Sequence, residues 1–164
     1  MKNKHDGDRA GFGFDAHDFS SGGTLVLGGV TLPGAPRLRG HSDGDALLHA
    51  IIDALLGAAG LGDIGEMFPD TKKSIKGISS RVMLKKALAK IKAAKFSIVH
   101  VDTVVIADEP KITPVKKKIR ARIAADLGIS PRSVNIKAKT SEGTRFLSES
   151  GGIAAWAVAT LTNA

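Results

Sequence analysis

The sequence has 164 residues, of which 43% are hydrophobic and 24% are charged, and these proportions are typical of a globular domain and exclude a disordered chain. Cys is absent, which excludes disulfides, thiolate metal sites and a cysteine nucleophile, so nitrogen and oxygen must supply any metal ligands. The formal net charge of +8 favours an anionic partner, and the lack of a targeting segment or a long apolar run predicts a cytoplasmic protein that does not contact membranes.

The order of the predicted elements indicates one domain over residues 10–164, preceded by a polar tail over residues 1–9. In chain order, the apolar spacing predicts a strand over Arg9–Phe14, a hairpin of Thr24–Leu27 and Val30–Leu32, a helix from Ser42 to about Leu56, a helix over Ser79–Ala94, a strand over Phe96–Ala107, a helix over Thr113–Leu127, and strands over Val134–Lys139 and Gly152–Leu161. This order favours an α+β fold in which helices pack on one face of a mixed sheet.

Two short-range patterns point to one metal site. Asp15 and His17 are two residues apart in an extended segment, so their side chains point to the same side. Asp45, His49 and Asp53 are spaced by four on the predicted helix, where flanking carboxylates could orient the imidazole. Asp15, His17 and His49 together would suit Zn²⁺ with an open position. The alternative is a solvated helix face and a surface strand end.

The predicted start of this helix offers an anion site. Ser42 stands at the expected N-cap and Asp45 follows three residues later, which is a weak form of the capping box. His41 and Ser42 would then lie beside free backbone N–H groups that favour a phosphate. Ser42 could equally be a cap without a ligand.

Two polar loops could contact a ligand. Asp63 lies between glycines, where its carboxylate could accept hydrogen bonds from polyol hydroxyls. The segment Lys139–Glu142 offers hydroxyls for phosphate oxygens and a carboxylate for a second, harder cation. Either segment is also compatible with an ordinary surface loop.

The sequence resembles the 2-C-methyl-D-erythritol 2,4-cyclodiphosphate synthase family of the non-mevalonate isoprenoid pathway. The resemblance covers residues 10–162 and rests on the ordered blocks Gly13–His17, His41–Asp45 with His49, Asp53–Ala59, Leu61–Gly65 and Phe68–Thr71. It implies a homotrimer with active sites between neighbouring subunits. The late segment that contains Phe146, Leu147 and Ile153 is compatible with a trimer. A small domain that stays alone would expose these apolar side chains less readily than a domain that covers them with a second subunit.

The resemblance also implies a reaction, in which 4-diphosphocytidyl-2-C-methyl-D-erythritol 2-phosphate is cyclised and CMP is released. It implies Zn²⁺ on Asp15, His17 and His49, and a second ion, Mg²⁺ or Mn²⁺, near Glu142. His41 and Thr140 match the stabilisers of the transition state. The substrate-binding positions of the family match Asp15, Ala16, His17, His41, Ser42, the polyol segment Asp63, Ile64 and Gly65 with its continuation Phe68, Pro69, Asp70, Thr71 and Lys72, the cytidine-pocket residues Ala107, Pro110 and Lys111, and Lys139, Thr140, Ser141, Glu142, Phe146 and Glu149.

The sequence departs from the family at a few positions that are not metal ligands. Lys139 stands where the family usually has Thr, and Lys72 replaces an acidic residue. The segment Arg145–Glu149 replaces a Gly-Phe-x-Gly-Arg pattern. Because Glu149 replaces an Arg that gathers near the threefold axis, three like charges would meet there. We therefore expect no central site for isoprenoid diphosphates.

Two other classes of protein remain open from the sequence. A basic nucleic-acid-binding module is suggested by the run Lys116–Arg122, but no base-stacking aromatic residues accompany this run, which favours a solvated helix face and no nucleic-acid partner. A trimer that has lost activity is suggested by Lys139 and Glu149, whereas the intact metal ligands argue against it. Salt-dependent retention on DNA would favour the binding module, and CMP release would favour the enzyme.

Overall fold

The computed structural model describes residues 7–71, 75–143 and 151–164. Its strands are β1 (Arg9–Asp18), β2 (Leu25–Leu27), β3 (Val30–Leu32), β4 (Phe96–Ile106), β5 (Val134–Lys139) and β6 (Gly152–Asn163), and its helices are α1 (Ala46–Ala59), α2 (Ile64–Met67), α3 (Ser80–Ala93) and α4 (Lys116–Leu127). Short 3₁₀ turns cover Thr113–Val115 and Pro131–Ser133. None of the helices in these described ranges is long and apolar enough to cross a membrane.

Four strands form one mixed sheet in the order β1-β6-β4-β5. β6 runs antiparallel to both β1 and β4, whereas β4 and β5 run parallel. β2 and β3 form a separate two-stranded hairpin, whose turn is the Gly28-Gly29 pair that the sequence predicts. The prediction of an α+β domain with a mixed sheet is confirmed.

The helices pack on one face of this sheet. Paired residues on neighbouring strands share a face, so each row across the sheet is either covered or open. The row of Gly13, Ala157, Thr103 and Ile136 is buried. α1 covers β1 and β6, α4 packs against β5, and α3 lies between these helices, in contact with both.

The opposite face of the sheet is not covered by any described residue of the chain. The adjacent row places Phe14 beside Trp156, with ring centroids 5.0 Å apart, and Phe14 is 45% exposed. Phe12 and Val158 are paired on the same face and are 64% and 43% exposed. Ile153, in contrast, is fully buried on the helix side, so its predicted role in a subunit contact is wrong.

Strand β1 approaches helix α1 so closely that only glycine fits at two positions. A Cβ atom at Gly11 would lie 2.0 Å from the Ala54 carbonyl oxygen, and one at Gly13 would lie 2.0 Å from the Ala50 carbonyl oxygen. Contacts at this distance are far inside the van der Waals limit. The spacing of these glycines and alanines therefore sets the distance between β1 and α1, the two elements that hold the predicted metal ligands.

The start of α1 differs from the prediction. Asp45, not Ser42, is the N-cap, and its carboxylate accepts the backbone N–H of Leu48 at 3.0 Å. The same carboxylate accepts the N–H groups of Gly28 and Gly29 at 2.8 and 2.7 Å. Because Asp45 is needed to satisfy the hairpin turn as well as the helix, it takes the cap position and the helix begins at Ala46.

Other boundaries shift for similar reasons. β1 continues to Asp18 rather than ending at Phe14, because β6 pairs with it along its whole length. The short helix α2 is an addition to the predicted elements, and the predicted helix over 113–127 begins with a 3₁₀ turn. The helix over Ser80–Ala93 begins after the N-cap Ser79, close to the predicted start.

Candidate functional site

Asp15, His17 and His49 meet at one point between β1 and α1. Asp15 Oδ2 lies 2.8 Å from His17 Nε2 and 2.9 Å from His49 Nδ1. The two ring nitrogens are 3.4 Å apart. Asp15 and His17 are two residues apart in β1 and so share the side of Gly13, which packs against α1. His49 faces them from the first turn of the helix.

The three side chains fit a divalent metal ion. Their donor atoms are one carboxylate oxygen and two imidazole nitrogens, a set that Zn²⁺ accepts. Ligand atoms bound at about 2.0–2.1 Å around a tetrahedral ion are about 3.3 Å apart, so small outward shifts would accommodate the ion. The side chains of Asp15 and His17 are 25% and 21% exposed, which leaves an approach from solvent.

The charges of the cluster favour an anionic Asp15. Burial alone would raise the pKa of Asp15, but hydrogen bonds from His17 and His49 and their charges hold this pKa well below its usual range. Burial likewise opposes the charged form of His17, yet the hydrogen bond and charge of Asp15, with a backbone hydrogen bond to Arg39, raise the pKa of His17. Asp15 is therefore ready to bind a cation.

The predicted carboxylate partners of His49 do not contact its ring. Asp45 is fully buried under the hairpin turn, and burial raises its pKa to about 6 although backbone N–H groups favour its charged form. Asp53 accepts the N–H of Ile64 at 2.7 Å. The prediction that these carboxylates orient the imidazole is wrong, because both are used to hold backbone N–H groups.

Two serine hydroxyls, rather than these carboxylates, contact the His49 ring. His49 Nε2 lies 2.8 Å from Ser80 Oγ and 3.1 Å from Ser42 Oγ. Ser42 is buried, and its hydroxyl accepts the N–H of Gly44 at 3.2 Å. The prediction that Ser42 caps this helix is therefore wrong, and the anion site beside His41 and Ser42 stays a prediction. His41 is exposed, and its carbonyl oxygen accepts the N–H of Gly77 at 2.7 Å.

The segment predicted to bind the polyol begins at α2. Asp63 is the N-cap of this short helix and accepts the N–H of Glu66 at 2.8 Å. Ile64 is anchored to Asp53 on α1, so the segment is fixed relative to the helix that holds His49. Gly65 follows, and Phe68 is buried in the core. Its predicted continuation also includes Pro69, Asp70 and Thr71.

A second group of predicted residues lines a cleft where β4 and β5 end. The cleft has a volume of about 230 Å³ and is lined by Ala107, Lys111, Ile112, Thr113, Ala138, Lys139, Thr140 and Glu142. The Thr140 hydroxyl donates a hydrogen bond to the Glu142 carboxylate. The Lys111 ammonium donates to the Asp108 carbonyl oxygen at 2.9 Å. Residues predicted to bind cytidine and phosphate thus share one cleft.

Asp108 joins the two loops that form this cleft. Its carboxylate accepts the backbone N–H of Ser141 at 2.8 Å and the Ser141 hydroxyl at 2.6 Å. These hydrogen bonds, the side-chain one first, hold the pKa of Asp108 below its ordinary value. Asp108 lies in the segment Ala107–Thr113, which the family resemblance matches to the cytidine pocket, but sequence reasoning assigned Asp108 no role of its own.

The two groups lie at the same end of the sheet but at opposite edges. Asp15 and His17 are near the end of β1, and the cleft follows the ends of β4 and β5. β6 and β4 separate β1 from β5, so three strand spacings of about 4.8 Å put these edges roughly 14 Å apart. Lys72, Phe146 and Glu149 lie outside the described residues.

The site also includes residues that the sequence did not reveal. Ser80 is 31 residues from His49 in the chain, and no local pattern marks it as a partner. Asp43 accepts the N–H of Ser80 at 3.0 Å and also its hydroxyl hydrogen. Asp43 lies in the block His41–Asp45 that carries the family resemblance, but the sequence alone assigned no function to Asp43.

A mixed sheet with helices on one face and a candidate metal site of one carboxylate and two imidazoles at one end defines the class of α+β protein to which this chain belongs. The model of the YgbB family matches residues 9–162, and the chain belongs to this family. It is 53% identical over 156 residues to the 2-C-methyl-D-erythritol 2,4-cyclodiphosphate synthase of Bordetella petrii, covering 95% of this chain and 96% of that one.

Further relatives have the same name. The synthase of Laribacter hongkongensis is 54% identical over 153 residues, covering 93% of this chain and 94% of the relative. A solved structure of IspF from Plasmodium falciparum in complex with CDP is 34% identical with a TM-score of 0.83, covering 98% of this chain and 99% of that chain. The protein is accordingly an enzyme, a phosphorus–oxygen lyase that acts in a cyclisation reaction of isoprenoid biosynthesis.

Proposed function

We propose that the protein converts 4-diphosphocytidyl-2-C-methyl-D-erythritol 2-phosphate to 2-C-methyl-D-erythritol 2,4-cyclodiphosphate in a metal-dependent reaction that releases CMP. The observation that supports this proposal most is the convergence of Asp15, His17 and His49 within hydrogen-bonding distances. It occurs in a chain that is 53% identical to a synthase named for that product.

The proposed reaction joins two anionic groups of one substrate. An oxygen of the 2-phosphate forms a bond to the β-phosphorus, and the bond from that phosphorus to the bridging oxygen breaks. CMP leaves with the bridging oxygen and the electron pair of the broken bond. The attacking phosphate oxygen is already ionised, so catalysis depends on positioning and on charge stabilisation rather than on a general base.

The metal ligands and their neighbours divide this work. Zn²⁺ on Asp15, His17 and His49, with Mg²⁺ or Mn²⁺ near Glu142, would supply positive charge to the phosphate oxygens when bound. His41 and Thr140 would donate hydrogen bonds to the phosphate that is transferred. The hydrogen bond between Thr140 and Glu142 supports a common place for these two roles.

The remaining predicted residues would bind the parts of the substrate that do not react. Ala107, Pro110 and Lys111 would form the cytidine pocket, at the 230 Å³ cleft. The segment from Asp63 to Thr71 would bind the polyol, with Ala16 and Ser42 near the metal ligands. Lys139, Ser141, Lys72, Phe146 and Glu149 complete the proposed binding set. The domain limits and the cytoplasmic location also stay predictions.

We place each active site between two subunits of a homotrimer. The roughly 14 Å between the edges of one sheet is too far for one phosphate group to reach both the metal ligands and Thr140. A neighbouring subunit could bring its cleft to the metal ligands of the first. The open face with Phe12, Phe14 and Val158 offers an apolar surface for such a contact.

The direct test is incubation of metal-loaded protein with the authentic substrate, followed by phosphorus NMR. We expect signals of the cyclic diphosphate and of CMP. His49→Ala should lose both the product and the bound zinc while its circular dichroism spectrum is unchanged. His100→Ala is the matched control, because His100 is an exposed histidine on β4. Lack of product from the unmodified protein would contradict the function, and a full equivalent of zinc on His49→Ala would contradict the ligand assignment.

A mixing experiment tests the shared site. His49→Ala and Thr140→Val should each be inactive alone, since one lacks a metal ligand and the other lacks a hydroxyl of the cleft. When equal amounts are unfolded and refolded together, about a quarter of all the sites should combine an intact metal cluster with an intact cleft. A mixture that stays inactive although its subunits have exchanged would show that each site lies within one subunit.

A further inference from the structure

The ring nitrogen of His49 that faces away from the metal cluster is held by a buried chain of hydrogen bonds. Nε2 lies 2.8 Å from the hydroxyl of Ser80. Ser80 is the first residue of α3, and its side chain is fully buried. The hydroxyl hydrogen of Ser80 points to one oxygen of Asp43, and the Ser80 backbone N–H donates to the other oxygen at 3.0 Å. The chain therefore runs from imidazole to hydroxyl to carboxylate.

Counting the protons of this chain gives its direction. An ionised carboxylate only accepts hydrogen bonds, and a serine hydroxyl has one proton to donate. Because Ser80 donates that proton to Asp43, it must accept from His49, which requires a hydrogen on Nε2. With this hydrogen on Nε2, the ring atom left for a metal ion is Nδ1, which lies 2.9 Å from Asp15 Oδ2 and must give up the hydrogen it shares with that carboxylate when the ion binds.

We infer that Ser80 and Asp43 are positioning residues, which fix the tautomer and the ring orientation of His49 so that Nδ1 can bind the metal ion. The inference rests on the metal site of the proposed function. Metal-binding histidines commonly donate their second ring N–H to a carboxylate or a carbonyl group. Here the carboxylate acts through one serine hydroxyl, because Asp45 and Asp53 on the helix of His49 are bonded to backbone N–H groups.

The same network also contributes to the packing between α1 and α3, so a test must separate two roles. Asp43 accepts the N–H of Asp45 at 3.3 Å and donates its own N–H to the Ile78 carbonyl oxygen at 3.1 Å. Its carboxylate thus connects the residues that precede the two helices. A purely structural role would affect thermal stability alone, whereas a positioning role would change metal affinity and the hydrogen bond made by His49 Nε2.

The experiment measures Zn²⁺ binding by competition with a chromogenic chelator, using the full chain. Ser80→Ala removes the hydroxyl and keeps the backbone N–H, and its Zn²⁺ affinity should fall roughly 10–100-fold. In the Zn²⁺-loaded variant, the Nε2–H signal of His49 in nitrogen-resolved NMR should shift, because its hydrogen bond to the Ser80 hydroxyl is lost. Asp43→Asn, which keeps the shape of the side chain, should give a smaller loss in the same direction.

Ser79→Ala is the matched control. Ser79 caps the same helix by accepting the N–H of Arg81 at 3.3 Å, and it has no role in the chain from His49 to Asp43. This variant should melt at a lower temperature but bind Zn²⁺ as tightly as the unmodified protein. Equal loss of affinity in Ser79→Ala and Ser80→Ala would overturn the inference, because helix stability would then explain the effect.

Two other results would also decide the matter. Unchanged Zn²⁺ affinity in both Ser80→Ala and Asp43→Asn would overturn the positioning role while leaving the proposed function intact. If the unmodified, folded protein binds no Zn²⁺, the proposed metal site fails, and the inference fails with it. The two failures are distinguishable because only the second one involves the unmodified protein.

Discussion

At the scale of single residues, Asp108 holds together the two loops beside the candidate nucleotide cleft. Its two hydrogen bonds with Ser141 connect the loop after β4 to the loop after β5. Asn at position 108 would keep one acceptor and turn an NH₂ group toward one of the two donors. We expect Asp108→Asn to bind CDP several-fold more weakly in calorimetric titration.

The control for this prediction is Asp126→Asn. This substitution removes the charge of a carboxylate whose Oδ1 lies 2.6 Å from the Arg81 guanidinium. Neither residue lines the cleft. The CDP affinity of Asp126→Asn should equal that of the unmodified protein. If Asp108→Asn also binds CDP normally, the contact between the two loops does not matter for the nucleotide.

Asp102 gives a prediction about pH. Burial would raise its pKa, but hydrogen bonds from Lys137 at 2.6 Å and Asn135 at 2.8 Å lower this pKa below the ordinary value of 3.8. A lowered folded-state pKa contributes stability above the unfolded-state pKa, and this contribution disappears as the pH falls through the folded-state value. The ion pair should therefore stabilise the protein at neutral pH, by about 0.2–1 kcal/mol for an exposed pair.

Lys137→Met tests this sign. A carboxyl-carbon NMR titration should show the Asp102 midpoint move upward, toward 3.8. The stability difference between the two proteins, measured by urea unfolding, should be present at pH 7 and shrink as the pH falls below about 4. Lys117→Met, on α4, is the control and should leave the Asp102 midpoint in place. An unmoved midpoint in Lys137→Met would contradict the assignment.

The three residues of the candidate metal site could be predicted to lie together because each pattern is local. Asp15 and His17 share a strand face, and His49 lies on a recognisable helix, so only the contact between β1 and α1 had to be assumed. Ser80 could not be found in this way, since it meets His49 only through packing of α3 on α1. The choice of Asp45 over Ser42 as the cap likewise depends on the distant hairpin turn.

At the scale of elements, the geometry of the metal cluster depends on the close packing of β1 on α1. Gly13→Ala would place a methyl group 2.0 Å from the Ala50 carbonyl oxygen, so the strand and the helix must separate. Overpacking of this kind costs about 1–3 kcal/mol or more. We expect a lower melting temperature and weaker Zn²⁺ binding, because Asp15 and His17 move away from His49.

Gly57→Ala is the control within the same helix. A Cβ atom there would meet no atom within 4 Å, and Ala is favoured over Gly inside a helix by about 0.5–1 kcal/mol. This variant should be slightly more stable and should bind Zn²⁺ normally. Normal Zn²⁺ affinity in Gly13→Ala would show that the packing distance does not set the metal geometry.

The order and type of the main elements could be predicted because their apolar spacing is regular. The short helix α2 could not, because a single turn leaves no helical repeat to recognise. The full length of β1 could not be predicted either, since its last residues are polar and are held by pairing with β6. Pairing and capping partners far away in the chain decide where these elements end.

At the scale of the whole molecule, the two faces of the sheet differ in a way that composition does not reveal. Aromatic residues are only 4% of the chain, yet Phe12, Phe14 and Trp156 lie together on the uncovered face. Glu149 and Arg145 lie outside the described residues, so the expected loss of a central anion site stays a prediction from the sequence. The open face allows a sharper test of assembly.

Phe12→Glu should separate the subunits. Phe12 is 64% exposed and pairs with Val158 on the open face, and burying a phenylalanine side chain contributes about 1.5–3 kcal/mol per subunit, whereas an unpaired buried carboxylate is costly. We expect light scattering to give a trimer mass for the unmodified protein and a monomer mass for the variant. The variant should still bind Zn²⁺ but release no CMP, because each proposed site needs the cleft of a neighbouring subunit.

Val82→Glu provides the matched control for this last prediction. Val82 is 45% exposed on α3, which lies on the covered side of the sheet, so a new carboxylate there faces solvent in either a monomer or a trimer. Its mass and its activity should match those of the unmodified protein. A monomer mass for the unmodified protein at micromolar concentration would contradict the trimer. Full activity of a monomeric Phe12→Glu protein would contradict the shared site, since both halves would then have to act within one chain.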